Sequence, residues 1–120
     1  MNSAVASTIG VLKVLFVCTM NQWRSPTAEK IYARHPFLDC RSGGTSPRAK
    51  HRVGRNDLRW ADLLVLMEDK HLDRLTAHFR DEIRFKEVHV LDLEDRYKFM
   101  DPELIAELQA NLDDLFLVTS

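Results

Sequence analysis

Val11-Leu-Lys-Val-Leu-Phe-Val17 runs directly into Cys18-Thr-Met-Asn-Gln-Trp-Arg24-Ser25-Pro26-Thr-Ala-Glu29. The first seven residues form an apolar, partly β-branched run, which predicts a buried strand. Ser25 is a good helix N-cap residue and Pro26 suits a first helical position, so a helix is expected from there. Between them lies a short loop in which Asn21 tolerates left-handed backbone. A loop of this kind aims amide N–H groups and the positive end of a helix dipole at one point, and Arg24 adds a forked cation there. The predicted ligand is a phosphate-like anion, held by the backbone and side chains of Thr19, Met20, Asn21, Gln22, Trp23, Arg24 and Ser25.

Cys18 stands where that anion would sit. A free thiol titrates near about 8.5, and a helix N-terminus beside a cation lowers such values by several units. Cys18 is therefore a candidate nucleophile. A buried, inert cysteine ending a strand is the competing reading, and the bare Cys-x5-Arg spacing is common enough by chance to need its strand–loop–helix context.

In that context the chain resembles the low-molecular-weight protein tyrosine phosphatases. Cys18, Asn21, Arg24, Ser25 and Pro26 fall on the positions of their Cys-x5-Arg-Ser-Pro motif. Ser42-Gly-Gly-Thr45 is similar to the family's Ser-Ala-Gly-Thr, and Asp62-Leu-Leu-Val-Leu-Met67-Glu68 to its strand ending in Met-Asp. Leu93-Glu94-Asp95-Arg96-Tyr97 resembles the acid loop, with Arg96 in place of proline. Tyr97-Lys-Phe-Met-Asp101-Pro-Glu-Leu104 resembles a shorter bacterial branch of that family.

The resemblance implies a cysteine-dependent hydrolase of phosphotyrosine proteins or small aryl phosphates. Cys18 would carry a phosphocysteine, Arg24 would bind phosphate and Asp95 would act as general acid and base. Asp92, Glu94 and Asp101 compete for that last role. Ser25 would hydrogen-bond the sulfur, and Asn21 with Ser42 would hold the loop. Trp23 and Tyr97 are expected to flank the pocket or to pack. Met20 replaces a glycine common in the family, and Gln22 an apolar residue. No cofactor and no metal is expected, inorganic phosphate or another oxyanion should occupy the loop, and the five histidines read as surface or packing residues. Two alternatives stay open: an oxyanion-binding module with little turnover, and a thiol-dependent arsenate reductase. The latter would need further cysteines, and none follows Cys40.

The rest of the chain fits an ordinary soluble enzyme. It has 120 residues, 45% hydrophobic and 29% charged, with a net charge of −1. That balance predicts one domain and gives no global attraction to nucleic acid or membranes. Six Lys or Arg residues between Arg41 and Arg59, against Asp57 alone, make one locally basic stretch. It reads as a solvated face or as steering for anionic substrates. Two cysteines build no disulfide framework, though Cys40 could regulate Cys18 if it reached it. Residues 1–10 are expected to be a flexible tail and 11–120 the domain. With no signal-like core and no apolar run of spanning length, a cytoplasmic location is expected.

Strands are predicted at 11–17, 37–42, 62–67 and 87–91, and helices at 26–33, 56–60, 70–79 and 102–116. This alternation predicts an α/β fold: a single-domain three-layer α/β/α sandwich on a four-stranded parallel sheet, with ligands beyond the carboxyl ends of the strands.

Overall fold

The computed structural model describes residues 11–116, so the expected tail at 1–10 lies outside the described residues. Four strands, β1 (Leu12–Cys18), β2 (Leu38–Gly44), β3 (Leu63–Leu66) and β4 (Glu87–Val90), form one parallel sheet in the order β2-β1-β3-β4. The two interior strands are the two continuous apolar runs. Residues Val14 to Cys18 and Leu63 to Leu66 are all buried, as strands covered on both faces must be. The outer strands alternate or are only half-buried.

Helices cover both faces. Helix α1 (Arg24–Tyr32) and helix α5 (Pro102–Phe116) pack on the side of Val14, Phe16, Cys18, Leu63 and Val65. Helices α2 (Arg55–Trp60), α3 (Asp69–His78) and α4 (Arg80–Ile83) cover Leu15, Val17, Leu64 and Leu66. Alternate residues of β1 thus feed two separate cores, which is the predicted three-layer sandwich. In α5 the buried stripe is Leu104, Leu108, Leu112 and Phe116, one residue per turn. Leu115, though apolar, is exposed.

Two local expectations need correction. Helix α1 begins at Arg24, not at Pro26, and its N-cap is Trp23, which makes no side-chain cap. Ser25 is therefore inside the first turn. Pro26 becomes the third helical residue, where the missing N–H still costs nothing because that turn has no intrahelical acceptor. The short helix α4 was not anticipated. At four residues it is below the length at which apolar periodicity can be read.

Parallel connections bring the ends of all four strands to one edge of the sheet. There the segment after β1 becomes the 19–23 loop, the segment after β2 runs alongside it, and the segment after β4 folds back over α1. Gly44 is what lets β2 come so close. A Cβ there would lie 2.4 Å from the Thr19 carbonyl oxygen and 3.0 Å from the Asn21 nitrogen.

Candidate active site

The 19–23 loop is pinned from outside through its carbonyl groups. Amides of Thr45, Ser46 and Lys50 donate to the carbonyls of Cys18, Thr19 and Met20 at 3.0 Å each, and Thr27 donates to Trp23 at 3.1 Å. Among the described residues, no amide from Thr19 to Trp23 donates to a backbone carbonyl. The first-turn amides of Arg24 and Ser25 have no intrahelical acceptor either. Carbonyls used and amides left over make an anion nest at an uncapped helix N-terminus. Asn21 adopts φ 54°, the left-handed conformation its sequence position suggested.

Polar side chains fix the loop from within, in one consistent direction. Ser42 donates its hydroxyl hydrogen to Glu29 at 2.5 Å, which leaves its oxygen to accept from Asn21 Nδ2 at 2.9 Å. The same Asn21 amide donates to Ser25 Oγ at 3.1 Å. Ser25 has one hydrogen to give, and Cys18 Sγ lies 3.0 Å away, closer than the Gly43 carbonyl at 3.4 Å. The chain from Glu29 through Ser42, Asn21 and Ser25 therefore ends in a donor aimed at sulfur.

Arg24 is buried to 1% exposure beside that sulfur. Its Nη1 donates to Glu68 Oε2 at 2.5 Å and to the Leu93 carbonyl at 2.7 Å, which uses both Nη1 hydrogens. The Nε and Nη2 edge remains for an oxyanion. Asp95 lies next to that edge, 3.6 Å from Nε, with its side chain 47% exposed. Burial works to raise the Glu68 carboxyl, but the hydrogen bond and charge of Arg24 outweigh it and hold the group below the usual carboxylate range.

One cleft collects these parts. Cys18, Met20, Gln22, Trp23, Arg24 and Asp95 line a small, open cleft with a volume of about 30 Å³. Drug-sized ligands occupy roughly 300–1,000 Å³. The cleft is far smaller than that, so most of a large substrate must lie on the rim.

Of the competing carboxylates only Asp95 lines this cleft. Asp101 accepts the Glu103 amide at 2.8 Å and so caps α5, while Asp92 is exposed in a left-handed turn at φ 60°. Tyr97 takes the second of the two places open to it. It is 4% exposed in the core with Leu104 and Leu108, so it packs and does not flank the pocket. Arg96, standing where the family has proline, lies over the Tyr97 ring at 4.6 Å and donates to Glu103 at 2.9 Å. The acid loop is thus tied to the first turn of α5 by side chains.

Two contributors were not anticipated as such. His71 is fully buried, although its histidine was expected to be a surface or packing residue without a part in the site. Its Nδ1 accepts the Glu68 amide at 3.0 Å, so Nε2 carries the hydrogen and donates to Thr19 Oγ1 at 2.9 Å. Glu68 is the other, and the Met67-Glu68 strand end was its only signal.

Burial first, then the Arg24 cation, lowers His71 to about 4. The unfolded chain takes that proton near about 6.5. Between those values only the unfolded state is protonated, so stability rises with pH across this window and is lost on acidification. The loss on going from about pH 7 to pH 5 is roughly 2 kcal/mol from this group. Urea midpoints at the two values check it: in His71→Gln the acid-side slope should shrink by about that amount, and an unchanged slope would assign the loss to other groups.

Cys40 does not meet Cys18. In the β1–β2 register Cys18 pairs with Gly44 and Cys40 with Val14, four residues away, or on the order of 13 Å along the strands. Disulfides need Cα atoms within about 7 Å. Burial, then the Asp39 and Glu29 charges, pushes the Cys40 thiol up to about 12. Among the described residues, no three His, Cys, Asp or Glu side chains converge as metal ligands would, and no helix is long and apolar enough to cross a membrane.

No family's sequence model matches the chain, and no curated protein does. Solved structures do. Wzb of Vibrio vulnificus, in complex with benzylphosphonate, superposes with a TM-score of 0.67 at 19% identity, over 90% of this chain and 96% of that one. A low-molecular-weight phosphotyrosine phosphatase of Vibrio cholerae O395 gives 0.64 at 23% identity, over 89% and 97%. The YwlE arginine phosphatase of Geobacillus stearothermophilus gives 0.57 at 21% identity, over 88% and 86%. The fold is that of the low-molecular-weight protein tyrosine phosphatases.

Proposed function

We propose that this protein is a phosphomonoester hydrolase that acts on phosphotyrosine through a phosphocysteine on Cys18. One observation carries the reading: Cys18, Arg24 and Asp95 line a single cleft at an uncapped helix N-terminus. The structural neighbours support it, because they include tyrosine phosphatases of the same fold.

The chemistry follows from the placement. Cys18 thiolate attacks phosphorus while the amides of the 19–25 segment and the Nε and Nη2 edge of Arg24 hold the equatorial oxygens. A P–S bond forms and the P–O ester bond breaks. Asp95 gives its proton to the departing oxygen, which a phenolate titrating near about 10 requires for efficient departure. Water then attacks the phosphocysteine, losing its proton to Asp95, and sulfur leaves as the thiolate stabilised by the Ser25 hydroxyl. Phosphate is released.

A second reading keeps the mechanism and changes the ester. One neighbour is an arginine phosphatase, and the exposed Asp95 carboxylate at the mouth would also attract a guanidinium leaving group. Folded, reduced protein should be assayed on a phosphotyrosine peptide and on its phosphoarginine counterpart. We expect kcat/KM at least about tenfold higher for the tyrosine ester. The reverse order would move the assignment to phosphoarginine. Phosphate binding without turnover of either would leave an oxyanion-binding module.

A further inference from the structure

The locally basic stretch is not spread evenly over the surface. Segment 45–53 runs along the outer side of the phosphate loop and is built into it. Thr45, Ser46 and Lys50 donate their amides to that loop, Gly44 donates to the His51 carbonyl at 2.8 Å, and Val53 donates back to Gly44 at 2.9 Å. Within the segment, Ala49 donates to the Ser46 carbonyl and Arg48 to the Ser46 hydroxyl. Its backbone is thus fixed relative to the nest, and the side chains of Arg48, Lys50 and Arg52 project from it exposed to solvent.

Among the described residues none of these three cations forms an ion pair. Asp57, the one acid of the stretch, is occupied by His51, Arg41 and the Gly54 amide. The opposite rim is mixed in sign. Segment 91–98 continues β4, on the other side of β1 in the sheet, and carries exposed Asp92, Glu94 and Asp95 together with Arg96, paired with Glu103, and Lys98, which lies 5.9 Å over the Trp23 ring. The cleft is too small for more than a fragment of a peptide, so neighbouring substrate residues must lie across its rim.

We propose that segment 46–52 is a docking rim for acidic residues flanking the phosphorylated residue of a protein substrate. The inference rests on the phosphatase reading for its occupant, and deepens it by naming the substrate class. An extended peptide advances about 3.3–3.6 Å per residue. Acids within roughly four positions of the phosphoresidue therefore reach Arg48, Lys50 and Arg52.

The test is binding, so that it does not depend on turnover. Two fluorescent peptides carrying a non-hydrolysable phosphonate analogue of phosphotyrosine, one flanked by glutamates and one by glutamines, are titrated by anisotropy. The wild type should bind the glutamate peptide about tenfold more tightly at low salt, and the margin should close as salt rises. In the triple variant Arg48→Gln, Lys50→Gln, Arg52→Gln the margin should vanish, with the glutamine peptide changed by less than about twofold. Equal affinities in the wild type, or a margin that survives the triple variant, overturns the proposal. So does equal displacement of the peptide by an oligonucleotide or by a glutamate peptide without the phosphonate, which would mark a general polyanion surface. Should the triple variant not fold, the salt dependence of the wild-type margin decides alone. Aryl phosphate turnover in the same preparation reports separately on the hydrolase reading, whose failure would leave the acidic preference standing.

Discussion

Cys18→Ser should abolish phosphotyrosine turnover, by at least about 10⁴-fold in kcat, while the protein still binds phosphate within a few-fold of wild type. The two halves of that expectation come from different parts of the site. Serine keeps the shape of the side chain on a strand end that is 3% exposed, so packing in the core around Phe16 and Ala28 is retained. The donors for the anion belong to the backbone of 19–25 and to Arg24, whose orientation is set by Glu68 and Leu93 and not by the sulfur. What disappears is the nucleophile, because a hydroxyl is far harder to ionise than a thiol and the Ser25 hydrogen bond is no substitute for that difference. Single-turnover kinetics with a phosphotyrosine peptide and calorimetric titration with phosphate make the check. Retained turnover would remove Cys18 from the mechanism. Loss of both turnover and binding, in protein with an unchanged urea midpoint, would mean that the sulfur itself shapes the nest.

The parts of this fold that could be read from the sequence are those set by local pattern. The β1 and β3 runs are continuous because both faces of an interior parallel strand are covered, and α5 shows its apolar stripe because a surface helix buries one side. The loop at Cys18 was legible for a similar reason: strand, nest and helix start are consecutive in the chain. What could not be read are the contacts made between segments. Glu68 reaches Arg24 across 44 positions and His71 reaches Thr19 across 52, and neither residue type at those positions announces a partner. The choice for Tyr97 between pocket and core stayed open for the same reason. Its position two residues after Asp95 suggested the pocket, but the segment does not alternate: residues 94 to 96 are all exposed and Tyr97 turns into the core with α5. The start of α1 was shifted by two residues because Ser25, a favourable cap by type, has a better use against Cys18 Sγ and Asn21.

Asp95→Asn should separate substrates by their leaving groups. For phosphotyrosine the departing phenolate needs a proton, and loss of a general acid typically costs 10²–10⁴-fold; we expect roughly a hundredfold loss in kcat/KM. For a nitrophenyl phosphate, whose leaving group is stable as an anion, the loss should stay within about tenfold. The position of the carboxyl sharpens the distinction. Asp95 sits 3.6 Å from Arg24 Nε, at the edge an oxyanion would use. As a carboxylate there it competes with the bound phosphoryl group, and as a neutral acid it does not. The amide is also neutral, so phosphate affinity in Asp95→Asn should be unchanged or somewhat tighter. A variant that merely damaged the site would bind phosphate less well and lose both substrates equally. That pattern would count against Asp95 and reopen the role to Glu94, the exposed neighbour whose own backbone carbonyl holds the turn by accepting the Arg96 amide at 3.0 Å. Leaving-group dependence with intact phosphate binding would instead place proton transfer at Asp95, since Asp101 is committed to the α5 cap and Asp92 does not line the cleft.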